Sequence, residues 1–195
     1  MSTSKPFSPE TCFAGNLTSM ASGDVFLDGY QQAVQGQMAR LRLTVQGISP
    51  SELNAREGKN WSIAQILVHL CLAHKGYMAE LERLLENPPK GECEAEMTKF
   101  GRKVYEFAGP DKDVPVPGAM KPGESQYGLE VIHQFSEMHQ KSAELAKKAR
   151  GVDLTAVTFR NPIVPLFKMN LVDAFSVMET HTERHLRQIE ARRAT

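Results

Sequence analysis

Four separate stretches of this sequence repeat apolar residues every three or four positions, and no other feature limits the possible folds as strongly. The stretches cover about residues 24–46, 62–85, 126–150 and 171–189. This spacing puts apolar side chains on one face of an α-helix, and that face must be buried against other helices. Four amphipathic helices of about twenty residues predict an all-α fold, a four-helix bundle with a long second connection.

Capping signals support the boundaries of these helices. Ser62 followed three residues later by Gln65 is a capping box, which predicts that the second helix starts there. Asn170 is suited to be the N-cap of the fourth helix. Gly47 and Gly151 follow the first and third helices, as expected of glycine beyond a helix C-terminus.

The connections between the helices differ in length. The first is short, so we expect the first two helices to be antiparallel neighbours. The second, about 87–125, can hold a short helix around 95–107, and the third, 152–169, is expected to cross one end of the bundle. No strand pair is expected. The predicted organisation is a polar N-terminal segment, 1–22, and a single domain, 23–195.

Charge and composition exclude several classes of protein. The 23 basic and 23 acidic residues give a formal net charge of zero, whereas a dedicated nucleic-acid binder needs a surplus of Lys and Arg. No apolar run approaches the 18 residues or so of a membrane span, and the N-terminus does not resemble a signal peptide. Three cysteines, Cys12, Cys71 and Cys93, do not form a disulfide framework. We therefore expect a cytoplasmic protein with no nucleic-acid or membrane partner.

Two of the six histidines have the spacing of metal ligands. His181 and His185 are four residues apart in a predicted helix, so both imidazoles lie on one face and can reach a single ion. The pair differs from the HExxH motif of zinc proteases, because Thr182 follows the first histidine and Glu183 points to roughly the opposite side of the helix. Glu183 therefore cannot act as a base at this ion.

The positions of the other histidines on their helices divide them into three groups. His69 lies on the shoulder of its apolar stripe, as His181 and His185 do on theirs, which permits the three to converge but equally fits half-exposed surface residues. His74 and His139 lie near the middle of their stripes, which is typical of buried, hydrogen-bonded rings; the alternative is a partner of a metal ligand or an additional ligand. His133 is expected to be solvated.

The combination of these residues resembles a known family. Trp61-Ser62, His69 eight residues after the tryptophan, the pair His181 and His185, and the trailing Leu186-Arg187-Gln188-Ile189 are similar to the DinB/YfiT-like superfamily of four-helix bundles. The resemblance implies one divalent ion, zinc or nickel, held by His69, His181 and His185 and completed by water. It is the resemblance that selects His69 rather than His74 as the third ligand.

The resemblance also implies a class of activity. Some such proteins are thiol-dependent transferases or isomerases that use a low-molecular-weight thiol, and others are regarded as metal-dependent hydrolases acting on a small-molecule substrate. Three neutral imidazoles leave a divalent ion with its full charge, which favours an anionic thiolate as the fourth ligand. An enzyme is therefore one interpretation. The other is a non-catalytic bundle that acts through dimerisation or a partner, and a homodimer is expected in either case.

The residues around the expected ligands suggest supporting roles but no general base. The candidates for positioning the ligands are His74, His139, Ser62 and Gln188, with Glu80 on the same side of the second helix as His69. Cys71 is turned away from His69, and Cys93 lies among glutamates that disfavour a reactive thiolate. A thiol mechanism would therefore need an external thiol.

Overall fold

A computed structural model describes residues 21–109 and 115–194. Its four long helices are the four that the apolar periodicity predicts, and shorter elements lie in the connections between them. The elements in chain order are α1 (Gly23–Thr44), α2 (Pro50–Asn54), α3 (Ile63–Leu84), α4 (Lys99–Ala108), a single 3-10 turn (Gly118–Met120), α5 (Glu130–Lys148), β1 (Thr158–Arg160), β2 (Lys168–Asn170) and α6 (Leu171–Arg193).

The predicted capping signals are confirmed at the two helices that carry the candidate ligands. The Ser62 side chain accepts from the Gln65 backbone N–H, and the Gln65 side chain accepts from the Ser62 N–H. At the start of α6, Asn170 and Asp173 make the same reciprocal pair. These caps satisfy backbone donors that a helix start otherwise leaves free, and they set where α3 and α6 begin.

Two expectations about the connections are wrong. The helices α1 and α3 are not packing neighbours: each packs mainly against α5 and α6. The chain between them, which includes the unpredicted helix α2, crosses the end of the bundle instead of making a direct hairpin. The third connection contains an antiparallel pair of strands in which Phe159 pairs with Met169, although no strands were expected. Three residues a strand are too few to show a recognisable alternation of apolar and polar residues.

The apolar core has two parts, one near each end of the bundle. One cluster takes Phe26 from α1 and Phe175 from α6, and the other takes Leu41 from α1 and Leu186 from α6. Where the two clusters meet, buried or half-buried polar side chains replace apolar ones. We call this set the polar layer; its members are Gln37, His69, His74, His139, His181 and His185. Five of the six histidines therefore lie near mid-height of the bundle.

Hydrogen bonds within the polar layer join three of the four long helices. His139 on α5 donates through Nε2–H to the Gln37 side-chain oxygen on α1, at 2.9 Å. The amide nitrogen of Gln37 donates to the backbone carbonyl of Glu179 on α6, at 3.2 Å. Buried polar groups need such partners, because leaving one unsatisfied costs about 1–3 kcal/mol.

None of the helices in the described ranges is both long and apolar enough to cross a membrane.

Candidate metal centre

Three imidazole rings converge at one point between α3 and α6. The Nε2 atom of His181 lies 3.2 Å from Nε2 of His69 and 3.1 Å from Nε2 of His185. One potential ligand atom from each ring lies within 4.8 Å of those of the other two. A tetrahedral ion with metal–nitrogen bonds of about 2.0–2.1 Å keeps its nitrogen ligands about 3.4 Å apart. The observed separations are close to that spacing.

Hydrogen bonds on the outer side of two rings fix which nitrogen carries the proton. Nδ1 of His69 lies 2.8 Å from the backbone carbonyl oxygen of Met120. Nδ1 of His185 lies 2.9 Å from the side-chain oxygen of Gln188. Both oxygens accept, so both imidazoles donate through Nδ1–H. In a neutral ring the other nitrogen then carries a lone pair, and both Nε2 lone pairs point to the shared centre.

The third ring has a histidine as its outer neighbour. Nδ1 of His181 lies 3.2 Å from Nε2 of His74. When His181 donates through Nδ1–H to His74, its Nε2 atom presents a third lone pair to the centre. Three lone pairs aimed at one point repel one another unless a positive charge or a proton lies between them. The donor set, three nitrogens with their outer N–H groups oriented, therefore fits a first-row divalent ion.

Burial keeps all three rings in the neutral form that binds a metal. Desolvation lowers the pKa of His69, holds the pKa of His181 well below its usual value, and lowers the pKa of His185 to about 3. The positive charge of Arg184 lowers the pKa of all three further. Near neutral pH no proton has to be displaced from a cationic imidazole before an ion binds.

A cavity of about 350 Å³ opens beside the three rings. Much of its wall is apolar and comes from several elements, including Trp61 before α3, Phe107 on α4 and Ile163 in the turn between the strands. The Trp61 and His69 ring centres are 4.9 Å apart, so the indole packs beside a candidate ligand. The polar part of the wall includes three cations, Lys59, Arg184 and Arg192. None of the described residues that line the cavity is Asp or Glu.

Comparison with protein families agrees with this arrangement. The family model for the DinB superfamily matches residues 33–189, a range that contains all of α3 and α5, the second half of α1 and most of α6. The three converging histidines lie within it. The chain belongs to the DinB superfamily. The family resemblance inferred from Trp61, His69, His181 and His185 is thereby confirmed.

A solved structure supports the four-helix bundle fold of this DinB protein. YfiT from Bacillus subtilis, described as a probable metal-dependent hydrolase with an unusual four-helix bundle topology, superposes with a TM-score of 0.56. The two proteins are 14% identical, and the match covers 85% of each chain. At that identity the likeness establishes the four-helix bundle fold and no more. A search of curated proteins found no match to the sequence.

The other candidates of this DinB protein fall into two groups. His74 and Gln188 contact the outer nitrogens of His181 and His185, as their proposed positioning role requires. Ser62 caps α3 instead, and His139 bonds to Gln37 in another part of the polar layer. His74 and His139 are buried, and His133 is exposed, as expected. The alternative that all three candidate ligands are half-exposed is wrong, since His69 and His185 are buried.

The remaining candidates lie away from the centre. Glu80 pairs with Arg83 on the same helix. Cys71 faces a separate groove between α3 and α5, and burial raises the pKa of its thiol to about 11. Cys12 lies outside the described residues. Neither Glu80 nor Cys71 is therefore placed to react beside the three histidines.

Sequence reasoning missed two contributors to the centre. The Met120 carbonyl carries no signal in the sequence, because every residue has one and only the fold brings this one to His69. Arg184 was not among the candidates from the sequence, yet it lines the cavity. Its position, three residues after His181 and directly before His185, could have shown that it lies near the same centre.

Proposed function

We propose that this protein is a metal-dependent enzyme in which His69, His181 and His185 hold one divalent ion, zinc or nickel. The observation that carries the proposal is that Nε2 of His181 lies 3.2 Å from Nε2 of His69 and 3.1 Å from Nε2 of His185, while the outer nitrogens of His69 and His185 are hydrogen-bonded to oxygens. The description of YfiT as a probable metal-dependent hydrolase supports the same class of function.

The chemistry follows from what lies beside the centre. When bound, a divalent ion lowers the pKa of a coordinated water or thiol and supplies a nucleophile near neutral pH. His69, His181 and His185 would hold the ion, and they line the same cavity as Trp61 and Phe107, so a molecule bound in the cavity would lie beside the ion. No carboxylate among the described lining residues can act as a general base. A nucleophile that is already close to ionising is therefore favoured.

This requirement favours a thiol over water. A free thiol ionises near pH 8.5, whereas bulk water has a pKa near 15.7, about seven units higher. A thiol therefore needs a far smaller shift to become a nucleophile without a protein base. We propose a thiol-dependent transfer with an external low-molecular-weight thiol as cosubstrate, and metal-assisted hydrolysis of a small molecule is the competing reaction.

Elemental analysis of tag-free protein tests the metal site. We expect about one zinc or nickel ion per chain in the wild type and in His133→Ala, which removes an exposed histidine of α5. His69→Ala and His185→Ala should retain none after dialysis, since two nitrogens bind an ion far more weakly than three. Full loading of His185→Ala would refute the proposed ligand set.

Cobalt substitution separates the two reactions. If a thiol binds the ion, N-acetylcysteine added to the Co²⁺-loaded protein should produce a sulfur-to-cobalt charge-transfer band. Turnover of an electrophile such as 1-chloro-2,4-dinitrobenzene should then require the thiol. Hydrolysis of 4-nitrophenyl acetate that is lost in His185→Ala and is indifferent to added thiol would favour the hydrolase instead.

The competing function from another class is a non-catalytic bundle that acts through dimerisation or a partner. It is favoured if the purified protein lacks metal, takes up none from excess zinc or nickel, and has the same stability with and without chelator. Large apolar side chains such as Leu43 and Leu166 are exposed on the surface, and contacts with a second copy or a partner would bury side chains of this kind. Sedimentation equilibrium of the wild type tests the expected homodimer.

A further inference from the structure

We propose that the cavity beside the three histidines takes a small organic anion with an apolar body, and that Arg184 is the residue that selects the anion. The inference rests on the proposed function, because it places the anionic group beside the metal ion. It concerns the class of ligand, which the ion alone does not determine.

The first argument is the charge at the inner end of the cavity. Three neutral imidazoles do not compensate a divalent ion. Arg184, on the same helix as His181 and His185, lines the same cavity and adds a further positive charge. Its guanidinium also lies 3.4 Å from the backbone carbonyl oxygen of Phe107, to which it donates and which ties it to α4. Two like charges beside one cavity repel each other, and an anion between them relieves the repulsion.

The second argument is how the charged residues are distributed. The whole chain carries 23 basic and 23 acidic residues, so an average cavity wall would contain both kinds. The described wall contains Lys59, Arg184 and Arg192 and no carboxylate. A cationic ligand would find no partner there, whereas an anionic ligand would find several.

Arg184 is a better candidate than Arg192 to select the anion. The Arg192 guanidinium donates to the backbone carbonyl of Trp61 at 2.7 Å and to that of Gln188 at 2.8 Å. The carboxylate of Glu57, which does not line the cavity, also stabilises the positive charge of Arg192. The charge of Arg184 acts on all three histidines, whereas that of Arg192 acts on His185.

The apolar wall limits the rest of the ligand. Trp61, Val104, Phe107, Ile163 and Val177 line the space beside the charged groups. The volume of about 350 Å³ is at the small end of the range of about 300–1,000 Å³ for small-molecule sites. A ligand with one anionic group and an aliphatic or aromatic body of modest size fits both parts of the wall.

Isothermal titration with matched probes tests the proposal. The probes are 3-phenylpropanoate, 3-phenylpropan-1-ol and 3-phenylpropylammonium, which share a body and differ in charge, and acetate, which keeps the charge and lacks the body. With zinc-loaded wild type we expect 3-phenylpropanoate to bind about tenfold or more tighter than the alcohol and than acetate, with no detectable binding of the ammonium. Equal affinity for the acid and the alcohol would overturn the proposal, as would equal affinity for acetate.

Variants of the arginine separate its role from that of the ion. Arg184→Gln should weaken binding of 3-phenylpropanoate about tenfold and leave the affinity for the alcohol unchanged. The affinity of Arg184→Lys for 3-phenylpropanoate should lie between those of Arg184→Gln and wild type. Arg187→Gln is the matched control: Arg187 is exposed on the same helix, pairs with Glu183 and does not line the cavity. Metal content and thermal melting are measured for every variant. An unchanged preference for the anion in a folded, zinc-loaded Arg184→Gln would contradict the inference.

The same titrations on metal-free protein distinguish the two possible failures. If the wild type binds no zinc, the proposed function fails. A preference of the metal-free protein for the anion that is lost in Arg184→Gln would still support the ligand class. If zinc binds and the preference for the anion is absent, the ligand class fails and the metal site stands.

Discussion

Nε2 of His74 lies 3.2 Å from Nδ1 of His181. A buried histidine of α3 therefore contacts the side of the His181 ring that is opposite the three converging nitrogens. The contact gives His181 a hydrogen-bond acceptor on its outer side. A metal ligand oriented in this way keeps its proton on Nδ1 and its lone pair toward the ion.

Replacing His74 should weaken metal binding without abolishing it. We expect His74→Phe to raise the zinc dissociation constant about 10–100-fold, because His181 loses the acceptor that orients it. Competition with a chromophoric chelator measures the constant. His139→Phe is the control, since His139 lies in the polar layer but bonds to Gln37. Equal weakening by the two substitutions would show that the effect of His74→Phe is general loosening of the bundle.

Removal of the ion should destabilise the fold. A ligand that binds only the folded state adds about 4 kcal/mol to the free energy of unfolding when its free concentration is a thousand times its dissociation constant. For a chain of this size that is roughly 10 °C in melting temperature. We expect calorimetry with and without chelator to show such a shift in the wild type. His185→Ala should melt at one temperature under both conditions, and a shift in that variant would point to a different zinc site.

Metal-free protein should lose stability as the pH falls below about 6.5. Burial lowers the pKa of His139 to about 4 in the folded state, whereas the unfolded chain binds the proton near pH 6.5. The unfolded state therefore binds more protons between these values, and lowering the pH from 7 to 5 removes about 2 kcal/mol of stability through this one residue.

Urea unfolding at pH 7 and pH 5 tests this expectation with wild type and His139→Gln. The loss of stability between the two pH values should be smaller in the variant by about 2 kcal/mol. Burial raises the pKa of Glu179 to about 7, and that carboxyl works in the opposite direction, but it is present in both proteins. An equal loss in both would mean that His139 takes up its proton without unfolding the protein.

The close approach of α4 to α6 should make Gly101 intolerant of a side chain. A methyl group at this position would overlap the carboxylate of Asp173, which accepts from the backbone N–H and the hydroxyl of Thr98 at 2.9 and 2.7 Å. We expect Gly101→Ala to lower the free energy of unfolding by about 2–3 kcal/mol.

A second glycine gives the matched control for that substitution. Gly36 lies in the interior of α1 and is exposed, and a methyl group added there would meet no other atom within 4 Å. Gly36→Ala should stabilise the protein by about 0.5–1 kcal/mol, because alanine loses less backbone entropy in a helix. Chemical unfolding of both variants gives the comparison, and stabilisation by Gly101→Ala would show that α4 is not held against α6 as described.

Local signals predicted the parts of the fold that depend on neighbouring residues. The capping box at Ser62, the N-cap at Asn170 and the one-turn spacing of His181 and His185 need only a few residues each, and the structure has all three. The packing partners of α1 depend on how the chain crosses the bundle end, which the apolar period does not encode. This is why the expected pairing of α1 with α3 was wrong.

The third candidate ligand illustrates the same limit at the site. An angle on a helical wheel places His69 and His74 relative to their own apolar stripe, but it does not say which ring of α6 each one meets. In the structure His69 contacts Nε2 of His181 and His74 contacts Nδ1 of the same ring, so both histidines of α3 are adjacent to His181. The choice of His69 depended on the family resemblance rather than on the residues alone.

One short segment of backbone has two roles at the centre. Residues 115–117 form part of the cavity wall, and Met120, three residues further on, holds the ring of His69 through its carbonyl oxygen. A change that reshapes this wall to admit a larger molecule would also move the atom that orients His69. If the protein is the metal-dependent enzyme proposed above, selection for new substrates at this loop would also alter the affinity for the ion. Phe107 on the neighbouring helix offers a position where the cavity can be enlarged without disturbing the bond between Met120 and His69.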